Sequence, residues 1–302
     1  IVLRAAGLRS EIWPELGGAV AAFAALDEQG DWRALFRPTP PATRYLPFEL
    51  GCWPLLPYAN RIRDGRFVFD GRAHALPRNL PGFAHPLHGL GAVRAWQVAD
   101  ASSRECTLNC SCPASAAWPY AFAAHQHFVL DDAGLQITLE LQNTHDLPMP
   151  YGLGQHPYIV RPPGTRIQAQ ACEVWLTDAE TLPLACVPLP PEWNLPAGCA
   201  LDGVAIDNCF AGFGGTARVL WPDGSALRIT ASARVEWLVV FSPPRLDFVC
   251  VEPVTQVPDC FNLAAAGRAE VGLGVLAPGQ SVAVTHRFDH EHASGGQRGP
   301  IR

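Results

Sequence analysis

Residues Ala121–Asn143 read AFAAHQHFVLDDAGLQITLELQN. His125-Gln126-His127-Phe128-Val129 and Leu135-Gln136-Ile137-Thr138-Leu139-Glu140-Leu141 alternate in steps of two, the period at which an extended chain returns side chains to one face. Asp131-Asp132-Ala133-Gly134 between them is made of residues that turn a chain. The stretch predicts a β-hairpin with one face in a core and one face wetted. The pattern extends outward to Ala95–Ala99 and Arg104–Ser111 upstream. Downstream it recurs at Thr165–Cys172, Ala217–Trp221, Ala226–Ala231, Val235–Phe241, Phe248–Val251 and Ser281–Phe288. Gly17–Ala25 reads as a buried strand entered through two glycines, and Arg66–Asp70 runs into an Asp70-Gly71 hairpin turn. Pro222-Asp223-Gly224 makes another turn. No helical periodicity outlasts about two turns, and no internal repeat is present. Pro183–Pro196 reads as an irregular excursion that Trp175 and Trp193 pin down. The prediction is one all-β, mostly antiparallel domain over residues 1–302, with a polar tail fraying from about Glu291.

Hydrophobic residues make up 48% of the 302-residue chain and charged residues 17%, the balance of a globular protein with an ample core. A net charge of −6, with no Lys/Arg cluster, argues against nucleic acid as a partner. No signal-like segment or apolar run of spanning length occurs, so no membrane partner is expected. The ten cysteines are scattered. Cys106, Cys110, Cys172 and Cys250 lie in apolar strand-like runs, where cysteine is a small hydrophobe. Cys110-Ser111-Cys112 lacks the spacing of a zinc knuckle. Reduced thiols in a cytoplasmic protein are expected. The oligomeric state is not encoded in any visible pattern.

Val249–Asn262 carries the first candidate for chemistry. Glu252 follows the apolar run Phe248–Val251, and Pro253, with no N–H to donate, is expected to stop the strand there. Lost hydration would raise this carboxyl toward the range of a general base; the alternative is a strand-end charge facing water. Tyr151–Tyr158, YGLGQHPY, reads as the end of a strand, where His156 is either an acid that pairs with a carboxylate or a structural histidine. Arg61, beside Asn60 and after the apolar GCWPLLPYA, could aim its donors at vicinal hydroxyls or a carboxylate, or form a surface ion pair. His85 and His88 have a spacing that invites zinc, but no matching ligand set accompanies them, and no metal is expected. A hydrogen bond from His88 to a ligand, or a loop cap, are the other readings. Asp207, before an apolar run, stays ambiguous.

Taken in order, five motifs carry a resemblance: NRIRDGRF (Asn60–Phe67), LHG (Leu87–Gly89) followed by Trp96, GLGQHPYI (Gly152–Ile159), DNCF (Asp207–Phe210) and VEPVTQVPDCFN (Val251–Asn262). Together they resemble the aldose 1-epimerase (galactose mutarotase) family, from about Gly17 to Phe288. The resemblance implies a galactose mutarotase-like β-supersandwich with a sugar-binding cleft. It implies that Glu252 is the general base and His156 the general acid. It places Arg61, His88 and Asp207 on the sugar, with Asn60 beside Arg61. The implied reaction interconverts the α and β anomers of a free aldose by opening and closing the ring. A small sugar is the only partner it requires, with no metal, nucleotide or redox cofactor. Partial burial is expected to raise Glu252 moderately, and the Glu252 charge to keep His156 protonated. Trp53 and Trp175 are candidate platforms for the sugar. Two other readings keep the scaffold. One is a hexose-6-phosphate mutarotase with Arg63 and Arg245 converging on the phosphate; the other is a carbohydrate-binding protein without turnover.

Overall fold

The computed structural model describes residues 1–40 and 46–293. The hairpin forms as read: Phe122–Leu130 pairs antiparallel with Gly134–Asn143, with His125 opposite Glu140. Burial alternates along Phe122–Leu130, and Phe128, Leu130, Ile137 and Leu139 are wholly inside. The hairpin lies in a nine-stranded sheet ordered Cys199–Ala200, Arg166–Ala169, Thr216–Leu220, Ala226–Ala231, Ser281–Glu291, Gly134–Asn143, Phe122–Leu130, Glu105–Cys112, Gln97–Ala101.

An eleven-stranded sheet packs against it, and its path runs Val2–Ala5, Leu8–Trp13, Ala19–Leu26, Cys52–Leu55, Gly154–Val160, Phe248–Val254, Trp237–Ser242, Ile206–Ala211, Glu173–Thr177, Pro183–Pro188. Trp32–Ala34 is its eleventh strand, paired off this path with Ala19–Leu26. Every strand pairing within both sheets is antiparallel, and short turns join about half of the neighbours. Edge-on aromatic pairs, Phe23–Phe36 at 5.3 Å and Phe36–Phe288 at 5.0 Å, fill the space between the sheets. A polar thread crosses the same space. Gln155 Nε2 donates to Gln126 Oε1 (3.3 Å), and Gln126 Nε2 donates to the Gly18 carbonyl (3.1 Å). Each buried amide thereby meets a partner in the core.

Three expectations need correction. Pro253 does not stop the ladder, because Phe248–Val254 continues through it with Pro253 opposite Leu238. The missing N–H instead opens the ladder on the other side, where pairing passes directly from Gly154–Val254 to Tyr158–Cys250. Pro157 and Pro253 both fall in that gap, and neither has a proton to give. His156 accordingly sits inside the strand Gly154–Val160, not at a strand end. Pro183–Pro196 is not wholly irregular: Pro183–Pro188 is the edge strand beside Glu173–Thr177, a position that tolerates proline.

The α-helix found among the described residues is Cys260–Ala265, and none there is long and apolar enough to cross a membrane. All ten cysteines are free thiols. The last strand reaches Glu291, and the tail expected to fray lies outside the described residues from 294 on.

Candidate active site

The register of the larger sheet lines up a single row of side chains. Cys186, Trp175, Cys209, Val239 and Glu252 are successive cross-strand partners. His156 comes next, opposite Glu252 by count from the flanking pairs Gly154–Val254 and Tyr158–Cys250, and Trp53 pairs with His156. One step along the strands a second row runs Asp207, Phe241, Cys250, Tyr158. The period of two puts both rows on one face. Gln155, on the opposite face, points into the core toward Gln126, so the rows face away from the second sheet.

Loops roof this outer face. The segments Leu56–Arg61 and Leu87–Gly89 are joined by bridges Leu56–Gly89 and Arg61–Leu87. Gly89 permits the approach: its φ is +70°, and a Cβ there would meet the Leu56 carbonyl oxygen at 2.1 Å. Asn60 and His88 are bonded to each other twice. The Asn60 N–H donates to His88 Nδ1 (3.1 Å), and the His88 N–H donates to the Asn60 carbonyl (2.9 Å). Both adopt left-handed backbone, φ 62° and 59°, a strain that the surrounding contacts hold in place. Asn60 Oδ1 then accepts from the Arg61 backbone N–H (2.9 Å) and from Arg61 Nη1 (3.2 Å), which fixes the guanidinium.

Glu252 is 2% exposed, and its Oε1 lies 3.4 Å from His156 Nε2. The His156 ring stacks on Trp53 (4.5 Å, 18°) and on Tyr158 (4.8 Å, 11°), while His88 meets both His156 and Trp53 edge-on. The Arg37 guanidinium covers the Tyr158 ring at 4.1 Å. Sequence reasoning named Trp53 only as a sugar platform, whereas here its ring restrains an imidazole. Trp175 instead lines a narrow recess with Asn60, Arg61, Asp207, Asn208 and Val239.

Burial dominates the electrostatics. It drives the Glu252 carboxyl well above the usual carboxylate range; the Asp207 charge adds to the shift and Arg61 opposes it. Burial also pulls His156 down to about 3, with Arg37 and Arg61 pushing the same way. The expectation that Glu252 keeps His156 protonated is therefore overturned: desolvation outweighs attraction once both groups are sealed from water. His88 is lowered well below the usual imidazole range by burial, then by His156 and Arg61, and is neutral. Asp207 is raised by burial against the pull of Arg61.

The structure thus links Glu252, His156, His88, Asn60 and Arg61 through successive contacts, and Asn60, Arg61 and Asp207 line one recess beside them. It separates His85 from His88. His85 Nδ1 accepts from the Asp64 N–H (3.0 Å) and its Nε2 lies 3.5 Å from Glu180, so the two histidines serve different loops. Arg63 is taken by Asp178 and Asp259, each at 3.6 Å. Supporting residues carry little sequence signal. Asp259 accepts from the Arg63 N–H (2.9 Å), and its own N–H donates to the Arg61 carbonyl (2.9 Å). Asn79 bonds Leu87 and Gly89 (2.8 Å each). His286, reaching across from the nine-stranded sheet, donates from Nε2 to the Pro253 carbonyl (2.8 Å). Only the buried phase of its strand hints that His286 is inside.

The site lies on the outer face of one of two packed antiparallel sheets. Residues 1–289 match the family model for aldose 1-epimerases, and the chain belongs to that family. It is 34% identical over 242 residues to the uncharacterized protein YphB of Escherichia coli K12, covering 77% of this chain and 81% of that one. A crystal structure from Escherichia coli K12, provisionally described as an aldose 1-epimerase, superposes with a TM-score of 0.86 at 30% identity, over 96% of this chain and 98% of that one. A galactose mutarotase-like protein from Clostridium acetobutylicum shares the fold (TM-score 0.83, 19% identity, 96% and 94% covered).

Proposed function

We propose that the protein is an aldose 1-epimerase that interconverts the α and β anomers of a free aldose such as glucose or galactose. The observation that supports this most is the buried Glu252–His156 contact, 3.4 Å long. Ring opening needs a proton taken from the anomeric hydroxyl and another given to the ring oxygen. Glu252 takes the first and His156 gives the second; after rotation about C1–C2 they exchange roles as the ring closes. With Glu252 raised and His156 lowered, the pair shares one proton that rests on Glu252. The active form is the tautomer in which that proton has passed across the 3.4 Å contact to His156 and freed Glu252 to act as the base. Each such group typically contributes about 10²–10⁴-fold.

Arg61, His88 and Asp207 would hold sugar hydroxyls, with Asn60 fixing Arg61 and His88 in place. Neutral His88 can donate from Nε2, since its Nδ1 already accepts from Asn60. Trp175 would carry the C–H face of the sugar. The chain would work as one domain, and its ten free thiols suit a reducing cytoplasm.

A phosphorylated substrate finds less support. Arg63 is already neutralised by two carboxylates. Arg245 lies in the turn between Ser242 and Phe248 and does not line the recess. The cation that lines the recess is Arg61, while Arg268 lies outside it, 5.4 Å over the Trp175 ring. Polarimetry with α-D-glucose, α-D-galactose and glucose 6-phosphate tests the reading. Faster approach to equilibrium on a free aldose supports it, and acceleration of the phosphate alone would replace it.

A further inference from the structure

We propose that His156, Cys250 and Glu252 form a binding site for a borderline-soft divalent cation, zinc in the first place, which occupies the acid–base pair and silences it. The silencing rests on the proposed function; the binding does not. Each residue offers one ligand atom, the three atoms lie within 4.8 Å of one another, and all three residues are buried. Zinc bonds of about 2.0–2.3 Å set tetrahedral ligand atoms roughly 3.3–3.8 Å apart. The His156–Glu252 contact at 3.4 Å already has that spacing, and Cys250 Sγ needs a shift of about 1 Å to join it.

The backbone preorganises the set. Cys250 and Glu252 are two residues apart on one strand, hence on one face, and His156 stands opposite Glu252 on the neighbouring strand. One polar atom there is left over: Glu252 Oε2 is buried without a hydrogen-bond partner. Buried polar atoms are normally satisfied, and a cation beside the carboxylate would satisfy this one.

Charge fits as well. On coordination the Cys250 thiol and the Glu252–His156 pair each give one proton to solvent, and thiolate plus carboxylate balance a dication. Arg61 and Asp207 alongside offset each other. One nitrogen, one sulfur and one oxygen suit zinc or cobalt; magnesium and calcium want oxygen ligands and are poorly served. A water or a sugar hydroxyl would complete the tetrahedron. A cation held in this way takes both the base and the acid at once, so it competes with the sugar.

Titration of the full-length chain with Co²⁺, followed by absorption, tests the site. The expected result is one equivalent bound, with a thiolate-to-cobalt band in the near ultraviolet, displaced by Zn²⁺ and not by Mg²⁺. In Cys250→Ser the band disappears, and affinity falls by more than the roughly 10–100-fold that loss of an outer partner costs. The Cys110 and Cys112 thiols, 3.8 Å apart, are the competing source of such a band. A band that survives Cys250→Ser but vanishes in Cys110→Ser, or no band in folded wild type, overturns the proposal. Should Cys250→Ser fail to fold, zinc-edge anomalous diffraction from soaked wild-type crystals decides: a peak among the three residues supports the site and its absence refutes it. Cobalt binding without mutarotation would sink the proposed function and keep the site; mutarotation without cobalt binding would do the reverse.

Discussion

The two sheets are built from the same kind of strand and solve different problems. In the nine-stranded sheet, Phe122–Leu130 and Glu105–Cys112 alternate buried and wetted positions, so each strand has one greasy face and one polar face. In the centre of the larger sheet, Phe248–Val254 is buried at every position and Gly154–Val160 at all but its last. Loops cover the face that would otherwise be wet. The polar residues Glu252 and His156 are therefore trapped where a strand normally carries Val or Ile, and burial shifts both. One sheet supplies stability, and the other spends some of it on reactivity.

Substitutions should separate the two roles. The largest effect is expected for His156→Gln, which removes one proton carrier. Turnover should fall by about 10²–10⁴-fold, while the thermal midpoint holds or rises because an unpartnered buried Nδ1 is gone. Phe128→Ala should do the opposite. Phe128 is wholly buried in the alternating sheet, and the loss should be about 3–5 kcal/mol by denaturant melts, with turnover per folded molecule unchanged. A large fall in kcat from Phe128→Ala at a temperature where the variant is folded would break the division.

Smaller effects sharpen it. Tyr158→Leu removes one of the rings stacked on His156. An aromatic stack contributes about 0.5–1.5 kcal/mol, so kcat should fall roughly 2- to 10-fold with KM little changed. Equal losses in Tyr158→Phe would show that the hydroxyl, not the stack, matters. Asp207→Asn removes the repulsion that helps raise Glu252. With that charge gone, Glu252 ionises at lower pH, so the acid limb of the pH–rate profile should move to lower pH as KM rises. A limb that stays put or moves up would show that Asp207 does not act on Glu252.

The same contrast explains what the sequence disclosed. Alternation made the hairpin Ala121–Asn143 and its neighbours legible nearly to the residue, because one wet face leaves a period of two. The larger sheet was read less well. Cys52–Leu55, CWPL, and Gly154–Val160, GQHPYIV, are buried on both faces and have no alternation to reveal them. Pro253 read as a strand breaker, although with Pro157 it merely leaves a gap beside the Glu252–His156 pair. The six candidate residues were legible through the order of their motifs. Their supports were not: Tyr158, Asp259, Asn79 and His286 act by stacking and by single hydrogen bonds across long sequence gaps. The direction of the His156 shift was also hidden, because it depends on how completely the loops exclude water.

The central claim is that Glu252 is the base of a mutarotase. Polarimetry of freshly dissolved α-D-glucose and α-D-galactose, with wild type and Glu252→Gln side by side, tests it directly. The account predicts that wild type speeds the approach to anomeric equilibrium while the folded variant does so at least about 10²-fold more slowly. A variant as fast as wild type would contradict the role of Glu252, and a wild type no faster than buffer would contradict the reaction itself.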